Sequence, residues 1–330
     1  MISSEPSETR SFLDHDLVID RDKRIYLVIG NTHPNGLIAA YLKYVPSKKP
    51  TLWGRGSSYY ERVLREYSVE EVLRVSSEAR NQFNDPTLGV SIPVVRTSEV
   101  VEWLKPEEKL RELRKRVSDF IELVSVEVSD IVSDLTGLSA SSMGITGSIL
   151  AGIHGPHSDV DLVIYGCREA LEFVQSDLEV GKLPKEKIMT KILENSRILG
   201  IEPETYIKIT PPYKFTCFKG VPITFTFVDN RSYRYGELVL KPIKPVSLVV
   251  EVLGGDCRSL FYPSRTRVDR VLEGIKVKEV ISYEAEYNFL LYRGGLLRIS
   301  GVLEKSVPDN EYYVIVGGRE NKGYVVPYEI

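Results

Sequence analysis

The sequence predicts an α/β (α+β) core of mixed sheet and helices, flanked by two smaller β-rich domains. Three observations support this prediction. Strand-like runs open the chain, helical periodicity dominates from residue 106 to about residue 135, and short apolar runs with glycine turns fill the last third. A length of 330 residues also suits two or three domains better than one. We place the domains at 1–104, 105–235 and 236–330.

Composition narrows the class of protein. The chain is 42% hydrophobic and 27% charged, which is ordinary for a globular protein. Its net charge of -3 gives no global electrostatic reason to expect nucleic acid. No apolar run reaches the roughly 20 residues that a transmembrane helix needs, so we expect no membrane partner.

The compartment is predicted from the cysteines and from the start of the chain. Three widely spaced cysteines, an odd number, indicate a reducing environment. Residues 1–10 are polar and acidic, unlike a signal peptide, and are predicted to be disordered. We therefore expect a cytoplasmic protein. A scarcity of glutamine beside abundant valine, glutamate and lysine favours a thermophilic source.

The N-terminal domain is predicted to begin with an antiparallel pair of strands. These strands cover 24–29 and 37–45 and are separated by a segment dense in turn residues. A helix is predicted over 59–67. Ser68 and Glu71 then form a capping box for a further short helix.

One long helix is predicted to open the core. Pro106 suits its first turn, apolar residues keep a helical stride to Leu135, and Gly137 suits its C-terminal cap. The later elements are predicted to be two helices and a β-hairpin, at 168–175, 185–196 and 213–228.

Two aspartates mark the most informative segment of the chain. Asp159 and Asp161 directly precede an apolar run that is typical of a buried strand, and residues two apart on a strand share a face. Adjacent carboxylates repel each other unless a cation lies between them. Mg²⁺, with Mn²⁺ as the alternative, is the expected ion because it takes oxygen ligands and leaves room for phosphates. Gly147 and Ser148 lie upstream, where a glycine turn permits close approach of the backbone to phosphate.

This segment resembles the signature of the DNA polymerase beta-like nucleotidyltransferase superfamily. The matching residues, in order and at the family's spacing, are Gly147, Ser148, Gly152, Pro156, Ser158, Asp159 and Asp161. The resemblance covers about residues 105–235 and implies an α/β (α+β) nucleotidyltransferase core. It also implies an enzyme that moves a nucleoside monophosphate from a nucleoside triphosphate to an acceptor hydroxyl and releases pyrophosphate. Gly147, Ser148 and Ser158 would bind the nucleotide, and Asp159 and Asp161 would bind the metal.

A third carboxylate that the family usually carries is missing from its expected position. The corresponding strand holds Thr224, with Thr226 on the same face. Asp229 is the nearest acid and is the candidate third catalytic residue, although its parity requires a bend or bulge for it to reach the site.

The C-terminal domain is predicted to be a small barrel, and its pattern of strands and glycine turns is similar to that of OB-type barrels. Strands are predicted at 237–240, 247–253, 277–283, 285–292, 296–303 and 312–316. Its aromatic and basic residues form a candidate surface for stacking single-stranded nucleic acid, with RNA as the candidate partner. They are Tyr262, Arg265, Arg267, Tyr283, Tyr287, Phe289 and Tyr292. The alternative for many of the aromatic residues is that they fill the barrel core.

Two alternatives to a transferase remain open at the level of sequence. The missing third carboxylate favours a catalytically weak or inactive protein that binds nucleotide or RNA on the same core. A scaffold protein whose signature loop binds nothing is the other. A closed cleft at Asp159 would favour that scaffold.

Overall fold

The computed structural model describes residues 10–176, 178, 180–318 and 322–329. The fold is mixed α+β, as predicted, and its described strands form three separate sheets. The segment predicted to be disordered lies outside the described residues except for Arg10. Arg10 donates hydrogen bonds to Asp16 and Glu107, so that prediction is wrong for this residue.

The N-terminal part forms a large sheet with one helix against it. Its elements are β1 (Leu17–Asp20), β2 (Ile25–Val28), β3 (Leu37–Ser47), β4 (Trp53–Arg55), β5 (Ser58–Arg62), α1 (Val69–Glu78), β6 (Gln82–Asp85), β7 (Val90–Arg96) and β8 (Val100–Leu104). The strand order is β4-β5-β3-β2-β1-β8, and β7 pairs with both β3 and β6. β2 and β3 are antiparallel, as predicted. Ser68 caps α1 by accepting a hydrogen bond from the Glu71 amide, which confirms the helix start at Ser68. The Glu71 carboxylate accepts a hydrogen bond from the Arg65 amide, so the reciprocal bond of the predicted capping box is made to a different residue.

The helix predicted over 59–67 is wrong. Gly56 adopts a positive φ of 62°, which allows a tight turn after β4. The chain then returns as β5, which pairs with β4 on one side and with β3 on the other, where Arg62 lies opposite Tyr44. The polar aromatic sequence of this segment therefore forms an exposed strand rather than a helix.

The central part carries a small sheet covered by helices. Its elements are α2 (Pro106–Lys115), α3 (Phe120–Thr136), β9 (Met143–Ile145), α4 (Gly147–Leu150), β10 (Val160–Tyr165), α5 (Cys167–Gln175), α6 (Lys185–Leu199), α7 (Pro203–Ile209), β11 (Cys217–Phe218) and β12 (Val221–Val228). The strand order is β11-β12-β10-β9; β10 and β12 are parallel, and the other two pairings are antiparallel. Both helices predicted after residue 165 are confirmed.

The single long helix predicted to open the core is interrupted. α2 ends at Lys115, and α3 begins only after Asp119. The Asp119 side chain accepts a hydrogen bond from the Glu122 amide, and the Glu122 carboxylate accepts one from the Ser118 amide. These two hydrogen bonds stabilise a helix start at a point where the apolar periodicity of the sequence continues without a break. The predicted end is confirmed, because Gly137 caps α3 in the left-handed conformation.

The C-terminal part closes into a five-stranded barrel. Its elements are β13 (Leu240–Val252), β14 (Ser264–Val271), β15 (Glu279–Ser282), α8 (Asn288–Arg293), β16 (Gly295–Ser306), β17 (Tyr312–Val316) and β18 (Tyr324–Pro327). The ring runs β13-β14-β15-β17-β16 and closes through pairing of β16 with β13, while β15 and β17 are parallel. This order resembles an OB-type barrel, with α8 between its third and fourth strands. The strand predicted at 285–292 is wrong, because this segment is helical.

Two features tie the central part to the barrel. Buried residues of α6 and α7, such as Ile192 and Tyr206, belong to the hydrophobic core of the barrel. A disulfide joins Cys167 at the start of α5 to Cys257 before β14, while Cys217 is a free thiol. Disulfides are rare in a reducing cytoplasm outside hyperthermophiles, so the cysteines do not support the prediction drawn from them. Among the described residues, no helix has the length and apolar character to cross a membrane.

Candidate functional site

The predicted aspartate pair lies at the start of β10. Asp161 is the second residue of that strand and is half-buried, whereas Asp159 stands just before the strand and is exposed. The face that carries Asp161 also carries Val163 and Tyr165, which pack against Leu13 of the N-terminal part. Strand alternation therefore turns Asp161 toward the N-terminal domain and away from the helical core.

Gly147 lies against the Asp161 carboxylate. Its φ is 69°, and a Cβ atom at this position would stand 2.2 Å from Asp161 Oδ2. The preceding Thr146 amide donates to the Asp161 carbonyl over 3.0 Å, which fixes the turn beside the strand. A glycine is therefore required here both by the backbone conformation and by the space that the carboxylate occupies.

Ser148 and Ser158 are brought together within the signature loop. The Ser148 hydroxyl donates to Ser158 Oγ over 3.3 Å, and Ser158 Oγ also accepts from the Gly155 amide at 3.0 Å. Both hydroxyls thus help to fold the loop on itself. The predicted nucleotide-binding residues lie in one compact turn beside the acidic pair.

Around Asp161, the positively charged neighbours do not fully offset burial and the charge of Asp159. Burial raises the pKa of Asp161 to about 6, and the negative charge of Asp159 contributes to the rise. The positive charges of Lys43 and His15 and a hydrogen bond from Thr224 oppose this effect without cancelling it. Two carboxylates of which one is exposed form a donor set that suits a hard divalent cation such as Mg²⁺.

The position predicted for the third carboxylate lies beside Asp161. β12 runs parallel to β10 with Thr224 in register with Asp161, and its side chain is hydrogen-bonded to that carboxylate. A threonine hydroxyl is neutral and cannot replace a carboxylate as an anionic metal ligand. The site therefore has two acidic groups, Asp161 on β10 and Asp159 just before it, where the family pattern has three.

Asp229 does not join the pair. It follows β12 at the end where Val228 is in register with Tyr165, five residues beyond Thr224 and therefore roughly 16 Å along the strand. Its carboxylate is instead bound by Arg231, with both contacts at 2.9 Å, and by the Tyr233 hydroxyl. Burial alone would raise the pKa of Asp229, but these hydrogen bonds lower it. The pairing of β10 with β12 is regular through Val228, so the structure does not bring Asp229 together with Asp159 and Asp161.

The N-terminal domain contributes residues that the sequence interpretation missed. The Gly54 amide donates to the Ile153 carbonyl at 2.8 Å, and the Thr146 hydroxyl donates to the His15 carbonyl at 2.7 Å. The buried Lys43 of β3 acts on Asp161 through its charge. Burial alone would lower the pKa of His15, but the charge of Asp14 and its hydrogen bond raise it above the ordinary value.

A second acidic group lies near the loop. The ligand atoms of Asp119, Glu122 and His154 lie within 4.8 Å of one another, close enough to hold a metal ion. His154 Nε2 contacts Asp119 Oδ2 at 2.9 Å, and the two acids also cap α3 as described above. Helix capping accounts for both carboxylates without an ion. His157, the other histidine of the loop, is exposed.

The aromatic surface predicted on the barrel is divided in the structure. Tyr287 is fully buried in the barrel core. Tyr262 and Tyr283 pack edge to face at 6.0 Å, whereas Phe289 and Tyr292 pack elsewhere, with Phe289 6.0 Å from the ring of Tyr213. Arg265 is ion-paired with Glu279 at 2.6 Å. These side chains do not form one continuous stacking platform.

Comparison with protein families, with curated proteins and with solved structures finds no match to this chain.

Proposed function

We propose that the protein is a Mg²⁺-dependent nucleotidyltransferase of the DNA polymerase beta-like type. It would move a nucleoside monophosphate from a nucleoside triphosphate to an acceptor hydroxyl and release pyrophosphate. One observation supports this above the others: Asp161 is half-buried beside Asp159, against a glycine that leaves no space for a side chain. Such an arrangement concentrates negative charge where only a cation would stabilise it.

The roles of the residues follow from their positions. Asp159 and Asp161 would hold Mg²⁺, which neutralises phosphate charge when bound. Gly147 would let the backbone approach the phosphates, and the turn built on Ser148 and Ser158 would hold them in place. The acceptor hydroxyl would lose its proton to solvent as its oxygen forms a bond to the α-phosphorus. The bond from that phosphorus to the bridging oxygen would break, and pyrophosphate would leave. Positioning and charge neutralisation would supply most of the rate.

The threonine at position 224 favours a second candidate function. Transfer through two metal ions needs ligands for an ion that activates the attacking hydroxyl. Thr224 removes the usual anionic ligand from that place, and Asp229 lies too far away to replace it. A protein that binds a nucleotide without efficient transfer is therefore the alternative. The scaffold alternative loses support, because Asp159 is exposed rather than covered.

Pyrophosphate release separates these functions. Wild-type protein would be incubated with Mg²⁺, each nucleoside triphosphate and pools of RNA ends, protein and small hydroxyl compounds, beside Asp161→Asn. Asp134→Asn is the matched control, because Asp134 is an exposed acid on α3. The proposal predicts release by the wild type and the control but not by Asp161→Asn. Triphosphate binding without release would favour the alternative, and equal release by all three proteins would contradict the proposed site.

A further inference from the structure

We propose that Lys43, aimed by a β-bulge in the N-terminal sheet, is a phosphate-binding residue of this site and contacts the β- and γ-phosphates of the nucleoside triphosphate. This inference rests on the proposed function and assigns part of its substrate site to the N-terminal domain.

Lys43 is buried in an unusual way. Only 6% of the residue is exposed, although it carries an ammonium group. Among the described residues, this ammonium makes no hydrogen bond or ion pair, and its contacts are with the rings of Tyr44 and Tyr67, each 5.8 Å from Nζ. Lysine is almost never buried unless it is paired, because desolvation of the charge is costly. Lys43 Nζ is not among the fully buried side-chain atoms of the described residues that lack a partner. The ammonium at the end of this largely buried side chain is therefore accessible to an anionic ligand.

A β-bulge determines where this side chain lies. In the pairing of β2 with β3, Ile25 lies opposite Tyr44 and Tyr26 opposite Leu42, so Lys43 is the additional residue on β3. The Lys43 carbonyl is held from the other side by the Val63 amide at 3.0 Å. Bulges break the alternation of a strand and redirect a side chain, and they are over-represented beside active sites.

The redirected ammonium lies in the field of the acidic pair. The charge of Lys43 lowers the pKa of Asp161 against the effect of burial. The N-terminal sheet is also packed on the signature loop, because Leu150 and Ile153 share a hydrophobic core with Tyr44. Lys43 thus belongs to the surface of the N-terminal sheet that faces the carboxylates, where the phosphates of a metal-bound triphosphate would lie. We call this surface, with Lys43 and its neighbours on β3 and β5, the phosphate wall.

A second cation extends this wall. Arg62 lies opposite Tyr44 on β5, and its guanidinium carbon is 5.3 Å from the ring of Trp53 and 5.4 Å from that of Tyr67. Tyr67 is 54% exposed and its ring contacts both cations, so Lys43 and Arg62 lie close to each other around one aromatic side chain. Cations over aromatic faces remain available for hydrogen bonds to phosphate.

The charge of a bound triphosphate explains why cations are needed on the phosphate wall. With Thr224 in place of a third acid, the site holds ligands for one divalent ion rather than two. A triphosphate carries more negative charge than one such ion neutralises. Lys43 and Arg62 supply positive charge from the opposite side.

The test compares affinities for triphosphates and monophosphates. Binding of ATP, CTP, GTP and UTP and of the corresponding monophosphates would be measured with Mg²⁺ for the wild type, Lys43→Met and Lys48→Met. Lys48 is an exposed lysine just beyond β3 and serves as the control. We expect Lys43→Met to weaken triphosphate binding roughly 10- to 100-fold, with monophosphate binding nearly unchanged. Lys48→Met should match the wild type.

The outcomes separate this inference from the proposed function. No triphosphate binding by the wild type would overturn both. Triphosphate binding that is lost in Asp161→Asn but unchanged in Lys43→Met would overturn only the role of Lys43. Equal losses for triphosphate and monophosphate would also overturn it. If thermal unfolding shows that Lys43→Met is not folded, the exposed Arg62→Gln takes its place in the test. A loss of affinity for triphosphate but not for monophosphate supports phosphate binding by Lys43 and Arg62. Wild-type affinity for triphosphate refutes it.

Discussion

Replacement of Gly147 by alanine tests the geometry of the site most selectively. Two costs arise at this position. A residue with a Cβ in the left-handed conformation costs about 1–2 kcal/mol. In addition, the new Cβ would stand 2.2 Å from Asp161 Oδ2, and relief of such a clash costs about 1–3 kcal/mol. We therefore expect Gly147→Ala to lower the free energy of unfolding by about 2–5 kcal/mol and to displace the carboxylate.

A matched control isolates the second cost. Gly200 has a φ of 70°, almost equal to the 69° of Gly147, but no atom of the described residues would lie within 4 Å of a Cβ atom added there. Gly200→Ala should therefore lose only about 1–2 kcal/mol and keep its ligand affinity. Urea unfolding gives the stabilities, and calorimetry with Mg²⁺ and the tightest-binding nucleoside triphosphate gives the affinities. If Gly147→Ala behaves like Gly200→Ala in both measurements, the contact with Asp161 has no functional role.

Three further predictions concern pH, a neighbouring ion pair and the disulfide. Because burial raises the pKa of Asp161 to about 6, a proton should compete with the metal, and Mg²⁺-dependent triphosphate affinity should fall below that pH. Calorimetry at about pH 5 and about pH 7.5 measures this, and equal affinities would contradict it. Asp229→Asn should lower the free energy of unfolding by about 1–3 kcal/mol without changing nucleotide affinity, because the Asp229 carboxylate accepts its hydrogen bonds from Arg231 and Tyr233. Because folding lowers the pKa of Asp229, the difference in stability between wild type and Asp229→Asn should be present at neutral pH and be lost as the pH falls through the folded-state pKa. Loss of nucleotide affinity with unchanged stability would argue against a structural role for Asp229. Reduction of the Cys167–Cys257 disulfide, which closes a separation of 90 residues, should lower the stability by about 2–4 kcal/mol in denaturant, and an unchanged midpoint would refute this.

Local signals in the sequence were sufficient where a few adjacent residues determine the structure. The N-cap at Ser68, the glycine cap at Gly137 and the strand after the aspartate pair all follow from short patterns. Thr224 lies in register with Asp161, at the place that the family resemblance assigns to the third carboxylate.

Other features depend on competition between signals or on contacts distant in sequence. The start of α3 is obscured in the sequence, because the apolar periodicity of α2 continues past the capping residues Asp119 and Glu122. The proximity of Lys43 and His15 to the acidic pair requires the packing of one domain on another, which no local pattern contains. One signal was nevertheless present: Lys43 is the one charged residue of β3, a strand that is mostly buried.

Calorimetric binding of the four nucleoside triphosphates tests the central claim most directly. It would be measured with and without Mg²⁺ for the wild type and for the double variant Asp159→Asn/Asp161→Asn. The two carboxylates are proposed to bind the metal that holds the triphosphate, so we predict Mg²⁺-dependent binding by the wild type and none by the double variant. Failure of every triphosphate to bind, or equal binding by both proteins, would contradict the proposed site.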